Sequence, residues 1–223
     1  VVCADLDAVS GERAAKEVDG LFVQVDVTDE DAVKAMYETA VTTYGSVDIA
    51  FNNAGISPPD DDSILETGLE AWKRVQEVNL TSVYLCCKYV IPHMRAQGRG
   101  RVINISSVLG FLPAPYMASY AATKHAVEGY SESLDHEVRE YGVRILVVQP
   151  AYTNTGFGAN SMRADSPLPL YAQQRHIFAD LMAAAIKDGD DPAMVAKVVV
   201  TAATDPKPRL RYTAGPTAGR VRT

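Results

Sequence analysis

Short runs of consecutive apolar residues alternate along this chain with longer stretches in which apolar positions recur every three or four residues. The short runs predict strands over residues 1–4, 21–25, 47–51, 101–105, 143–148 and 210–214. The periodic stretches predict helices over residues 10–18, 28–44, 69–97, 117–141, 171–187 and 192–204. Thr28, with Asp31 three places on, reads as the N-cap of the second helix in a capping-box arrangement. Pro92 is expected to bend or interrupt the third. The strands are apolar throughout rather than alternating, as happens when helices cover both faces of a sheet. Strand and helix in turn imply βαβ units, so the expected fold class is α/β, a doubly wound parallel sheet with helices on both faces. Residues 151–170 are irregular and rich in Gly, Asn, Ser and Pro, and are expected to form a lid within a single domain over residues 1–223. The first run opens the chain inside what reads as a buried strand, so the expectation is an N-terminally truncated fragment lacking its first βα unit.

Composition narrows the classes. The 223 residues are 47% hydrophobic and 22% charged, with a net charge of −7. That balance fits a globular domain with a real core and argues against a nucleic-acid or anionic-membrane surface. No apolar stretch approaches the roughly 20 residues of a membrane span, and no signal peptide is visible. Three cysteines, two of them adjacent in a helix, point to reduced thiols and a cytoplasmic compartment. His93, His125, His136 and His176 lack metal-ligand spacing and read as surface or packing residues, and Asp60, Asp61 and Asp62 as a solvated loop.

Three constellations carry chemistry. Asp5 ends the first strand, where dinucleotide-binding sheets use an acidic residue to hold the adenosine ribose; the alternative is a strand-ending turn. A carboxylate there repels a 2′-phosphate and so favours NAD over NADP. Asn52-Asn53-Ala54-Gly55 follows a strand, with small residues that let backbone pass close to a flat ligand and amides able to tie strand ends together, or is a simple turn. Tyr120 and Lys124 lie four apart on a helix and therefore share a face, with Ser107 at the end of the preceding strand. A free tyrosine titrates at about 10, so a tyrosine acting as a base at neutral pH needs roughly 4 kcal/mol of differential stabilisation. The Lys124 ammonium and an oxidised nicotinamide could supply it, while Ser107 hydrogen-bonds the substrate oxygen. The plainer reading is a packed tyrosine and a solvated lysine.

Taken together these residues resemble the short-chain dehydrogenase/reductase family, Rossmann-like and of the simple NAD-dependent type. The resemblance covers residues 1–214. It rests on ADLD at the first strand end, DVT from Asp26 to Thr28, NNAG, Asn79 within VNL, the INISS strand end, Tyr120-Ala-Ala-Thr-Lys124, and Pro150 followed by Thr153 and Thr155. Ser107 stands 13 residues before Tyr120, the family's spacing for its catalytic serine. By resemblance, Tyr120 is the general acid/base, Lys124 holds the nicotinamide ribose and lowers the tyrosine pKa, Ser107 orients the substrate carbonyl, and Asn79 supports a water in a proton relay. Asp5 and Leu6 meet the adenosine ribose, Asp26 and Val27 the adenine, and Asn53, Ala54 and Gly55 the adenosine side of the cofactor. Pro150, Thr153 and Thr155 line the nicotinamide. Leu109, Tyr116 and Tyr152 flank these positions and are expected to line the substrate pocket with Ser107 and Tyr120.

The implied activity is hydride transfer between NAD(H) and a secondary alcohol or ketone. Phe111, Leu112, Phe157, Met162 and Leu168 hint at an apolar substrate. Relatives pair through two long helices, here residues 69–97 and 117–141, which implies a homodimer or homotetramer. Two departures stand out: Ala151 occupies a position where the family usually has Gly, and the glycine-rich loop before Asp5 is not in the sequence. Two other readings remain: a catalytically silent nucleotide-binding or interaction protein on the same fold, and an epimerase or dehydratase of sugar nucleotides.

Overall fold

A computed structural model describes residues 1–58, 63–155 and 172–222. Most of the expected lid, with Phe157, Met162 and Leu168, lies outside the described residues, as do Asp60, Asp61 and Asp62. The strands are β1 (Val2–Asp5), β2 (Leu21–Gln24), β3 (Ile49–Asn52), β4 (Gly100–Ile105), β5 (Val143–Pro150) and β6 (Arg211–Ala214). Among them run the helices α1 (Ala8–Glu17), α2 (Glu30–Tyr44), α3 (Leu69–Gln76), α4 (Ser82–Gln97), α5 (Ala118–Val138), α6 (Ala172–Lys187), α7 (Pro192–Thr204) and α8 (Pro216–Arg222). Every strand pairing is parallel. The ladder is hydrogen-bonded in two pieces, β1-β2 and β3-β4-β5-β6.

The alternation of side chains along β4 and β5 explains why both faces are apolar. Val102 and Ile145 point into a core shared with Val33 and Met36 of α2, Cys87, Val90 and Met94 of α4, and Val127 of α5. Their neighbours Ile103 and Leu146 point the other way, onto Ala202 of α7, Tyr212 and Ala214. Successive strand residues face opposite sides, so a sheet covered by α2, α4 and α5 on one face and α7 on the other needs unbroken apolar runs. This is the doubly wound parallel arrangement the sequence predicts.

Four expectations are corrected. Helix α1 begins at Ala8, because the Asp7 carboxylate accepts from the Val9 and Ser10 amides and caps it earlier than expected. Helix α2 is capped by Asp29, which accepts from Asp31 N at 2.9 Å and Ala32 N at 3.1 Å. Thr28 is diverted into a turn: its amide and hydroxyl both donate to Asp26 Oδ1. The 69–97 stretch is interrupted at Glu77–Thr81, which forms a π turn, while α4 runs through Pro92. Pro92 sits on an exposed face, where solvent can take the carbonyl it leaves unbonded. Finally, α8 is unanticipated: its short, glycine-containing sequence has no apolar period, and it is seated by Ala218, which is wholly buried.

Candidate active site

The site is assembled at the carboxyl ends of β3, β4 and β5, and each piece is held by a local device. Asn52 and Asn104 are register partners at the ends of β3 and β4, and the Asn52 amide donates to Asn104 Oδ1 at 2.8 Å. Asn104 in turn donates to Ser131 Oγ of α5 at 2.9 Å. The asparagine tie anticipated from NNAG therefore exists, and it reaches the helix as well. The π turn places Asn79 inward and 1% exposed. Its Oδ1 accepts from Ile56 N at 2.7 Å and its amide donates to Ile56 O at 2.8 Å, so the segment after β3 is clamped from both sides. A Cβ at Gly55 would lie 3.4 Å from Asn79 Oδ1 and 3.8 Å from Lys124 Nζ, which puts Gly55, Asn79 and Lys124 at one point.

Tyr120 and Lys124 share a face of α5, and Lys124 Nζ lies 5.5 Å from the Tyr120 ring centroid. Both are buried, which excludes a solvated lysine. Lys124 donates to Ile105 O at 2.9 Å. Ser107 is the N-cap of a 3-10 turn, Val108–Gly110, where its Oγ accepts from Leu109 N at 3.2 Å. Burial pushes Tyr120 up to about 12, against an opposing pull from the Ser107 side chain. Burial also pushes Lys124 down to about 8. Burial is the largest cause of both shifts, and the Lys124 amine is not among the causes acting on Tyr120.

The remaining predicted residues divide. Asp5 Oδ1 accepts from Asp7 N at 2.9 Å, so the turn reading is met while the carboxylate stays exposed; Leu6 is exposed, and its carbonyl accepts from Gln24. Asp26 is exposed, and Val27 partly buried. Asn53 and Ala54 are exposed beyond β3. Pro150 ends β5, and residues 152–154 are strapped to Asp190: Thr153 bridges it, Asp190 N donates to Tyr152 O, and Asn154 N donates to Asp190 O. Thr155 is exposed next to that strap. Leu109 is buried in one apolar cluster with Tyr120, Ala121, Val108 and Ala218, and Ala151 packs against it. Tyr116 takes a left-handed backbone, φ 57°, and its ring leans on Phe178 of α6 at 5.6 Å. Tyr152 is half-buried.

Sequence reasoning passed over Ile56, Gly110, Phe178, Asp190 and Ala218. Each acts through its backbone or its fit against a distant segment, so none carries a motif. Gly110 alone has a faint signal, a glycine just after the serine pair: a Cβ there would sit 2.5 Å from Ser106 Oγ. Among the described residues no group of three or more His, Cys, Asp or Glu could hold a metal ion.

Comparison with known proteins agrees with this arrangement. The family model for short chain dehydrogenase matches residues 1–166. Cis-4-hydroxycyclohexanecarboxylate dehydrogenase of Sinomonas cyclohexanicum is 38% identical over 154 residues, covering 69% of this chain and 61% of the relative. The chain spans about three fifths of the length of such curated relatives. A short-chain dehydrogenase of Streptomyces avermitilis superposes with a TM-score of 0.88 at 27% identity, covering 99% of this chain and 80% of that one. A short chain dehydrogenase/reductase of Burkholderia phymatum in complex with NAD gives 0.84 at 25% identity, covering 99% and 82%. With a parallel sheet wound on both faces, a tyrosine and lysine buried together on α5, and a family match over most of its length, this chain belongs to the short-chain dehydrogenase family.

Proposed function

We propose that the protein is an NAD(H)-dependent oxidoreductase that interconverts a secondary alcohol and its ketone, with Tyr120 as the general acid/base. The observation that carries this reading is Tyr120 buried on one face of α5 with the equally buried Lys124 amine 5.5 Å from its ring centroid, and with Ser107 acting on its hydroxyl. Holding a nucleotide would account for the Lys124 amine alone, but not for a tyrosine buried beside it, and perturbed pairs of this kind are what active sites use. That arrangement costs stability, and function is the reason to keep it.

The residues fit a dinucleotide. Asp5 and Asp26 present exposed carboxylates at the ends of β1 and β2, suited to ribose and adenine edges, and Asp5 disfavours a 2′-phosphate. The unsubstituted face of Gly55, with exposed Asn53 and Ala54 beside it, leaves room for close approach. Pro150 ends β5 and Thr153 and Thr155 follow it, with Thr153 pinned through Asp190. The cofactor supplies or accepts the hydride. Ser107 holds the substrate oxygen, and Tyr120 gives that oxygen a proton in reduction or takes it in oxidation. Moving a phenol from about 12 to neutrality takes roughly 7 kcal/mol. Lys124 in its charged form and a nicotinamide cation beside it are the two sources available. Asn79, with its amide oxygen and nitrogen both bonded to Ile56, positions the segment after β3 and keeps its assignment as support for the relay water.

The substrate is read as apolar. Leu109, Phe111, Ala114, Met117, Ala151 and Ala218 gather around Tyr120; the relative named for 4-hydroxycyclohexanecarboxylate, a ring alcohol bearing a carboxylate, supports the secondary alcohol and not its apolarity. Tyr116 and Tyr152 are assigned to the pocket wall. Assembly as a homodimer or homotetramer through α3–α4 and α5 is part of the same reading; Leu69, Trp72 and Tyr84 leave large apolar surfaces exposed on the first of these. The test is reduced-nicotinamide absorbance with the whole protein, NAD and a panel of apolar secondary alcohols. Turnover that disappears in Tyr120→Phe, with NAD affinity kept, supports the proposal. NAD binding without turnover across the panel, alcohols and ketones alike, would favour the silent nucleotide-binding alternative.

A further inference from the structure

One buried ionic cluster lies behind the site and has no counterpart among the residues assigned so far. Glu128 is one turn beyond Lys124 on the same face of α5, and it is buried. Its two oxygens serve two different strands. Oε1 accepts from Gln149 Nε2 at 2.8 Å, and Oε2 accepts from Arg211 Nε at 2.8 Å. Arg211 opens β6 and also donates to Glu132 Oε2 at 2.8 Å, so one guanidinium serves two carboxylates of α5. Gln149 is 2% exposed and is the residue immediately before Pro150. The stem of Glu128 supports a third segment: a Cβ on Gly110 would lie 3.1 Å from Glu128 Cγ and 3.2 Å from Lys124 O, so the turn headed by Ser107 rests directly on this part of the helix.

We infer that Glu128, with Gln149, is a positioning device that locks the helix bearing Tyr120 and Lys124 to the strand end from which residues 150–155 emerge. The inference rests on the functional reading above for what those segments hold, while the linkage itself is a matter of geometry. A carboxylate is suited to the task because both of its oxygens accept. A glutamine in its place accepts on one side only and turns an N–H₂ toward a donor on the other. Arg211 can only donate and keeps the carbonyl, so the N–H₂ is turned on the Gln149 Nε2 donor and the link to β5 is the one disrupted, at almost no change in volume. Neither Glu128 nor Gln149 touches the reacting groups, so their effect on turnover is expected through placement.

The test uses the whole protein and two variants. Gln149→Met removes the link to β5 and leaves Arg211 paired. Glu128→Gln breaks one link by the change in chemistry described. Backbone hydrogen exchange is followed at 107–110 and 151–155 and, as an internal reference, within β4. Affinity for NAD and kcat are measured alongside. The expected result is faster exchange at 107–110 and 151–155 with β4 unchanged, a rise of about tenfold in the Kd for NAD, and a kcat that falls less than the affinity does. In the double variant the second change should add little to the first, since both act on one link. Unchanged local exchange would overturn the inference, and so would exchange rising equally in β4, the mark of general destabilisation alone. The exchange arm requires no turnover, so a wild-type protein inert toward NAD would remove the functional reading and leave the linkage to be decided by exchange.

Discussion

Lys124 is the side chain in which stability and chemistry pull hardest against each other. Its folded-state pKa of about 8 lies below the ordinary 10.5, because burial disfavours the charged form. Below pH 8 the amine is protonated in folded and unfolded chains alike, and the folded protein carries the full penalty, roughly 3 kcal/mol. Between pH 8 and 10.5 the unfolded chain holds more protons, so stability should rise with pH across that window. Lys124→Met is therefore expected to be more stable than wild type at pH 7 by about 2 kcal/mol, after allowing for the lost hydrogen bond to Ile105, and to show a flatter profile up to pH 10. Urea unfolding at several pH values measures this; a variant less stable at pH 7 would contradict it. Tyr120 has the opposite sign: with its folded pKa raised to about 12, its contribution is present below pH 10 and fades above it. Tyr120→Phe should lower kcat about a thousandfold, within the range of a lost general acid/base, with NAD affinity within a factor of about two, as steady-state rates and calorimetry would show.

Among the elements, the 3-10 turn after Ser107 and the π turn around Asn79 matter more than their length implies. The π turn interrupts a helical segment and the 3-10 turn lies in the loop between β4 and α5, and each seats one polar side chain near the strand ends. The Val108–Gly110 turn has no slack against α5. Gly110→Ala would drive its methyl to 2.5 Å from Ser106 Oγ, with Glu128 and the Lys124 carbonyl closing the other sides. Overpacking of this kind costs about 1–3 kcal/mol. The variant should melt lower and lose activity disproportionately, because Ser107 moves with the turn. Asn79→Leu should instead release residues 53–56, seen as faster amide exchange at Ile56, since that amide and its carbonyl are both held by the asparagine.

For the molecule as a whole, the end of α5 is anchored by Asp135, which is 1% exposed. It accepts from Arg139, from Arg144 and from the Ile145 amide, and Arg144 continues to Pro208 O ahead of β6. Burial raises the Asp135 pKa, but the hydrogen bonds from Arg144 and Ile145 outweigh it and leave the group below the usual carboxylate value. A depressed carboxylate stabilises above its unfolded pKa, and that contribution is lost as pH falls through the folded one. Asp135→Ala leaves the half-buried Arg144 without its carboxylate, with only the Pro208 carbonyl to accept from it. It should cost about 3–5 kcal/mol at pH 7 and flatten the acid limb of the unfolding profile. A loss below about 1 kcal/mol would show that β5 and α5 hold together without it.

What could be read from the chain alone was what depends on near neighbours. The apolar runs of β4 and β5 announce a sheet covered on both sides, because strand alternation converts one run into two cores. The Tyr120-Lys124 spacing announces a shared helix face, because four residues make about one turn. The cap falls one residue later than the sequence predicts, at Asp29, since Thr28, a good but weaker cap, is captured by Asp26. What depended on distant segments meeting was settled in three dimensions: that Lys124 is buried, that Asn79 clamps Ile56, that Ala218 closes against Tyr120, and that Glu128 gathers Gln149 and Arg211. Burial sets the titration of Tyr120 and Lys124, and burial is a property of everything packed around a side chain, so spacing along the chain cannot report it.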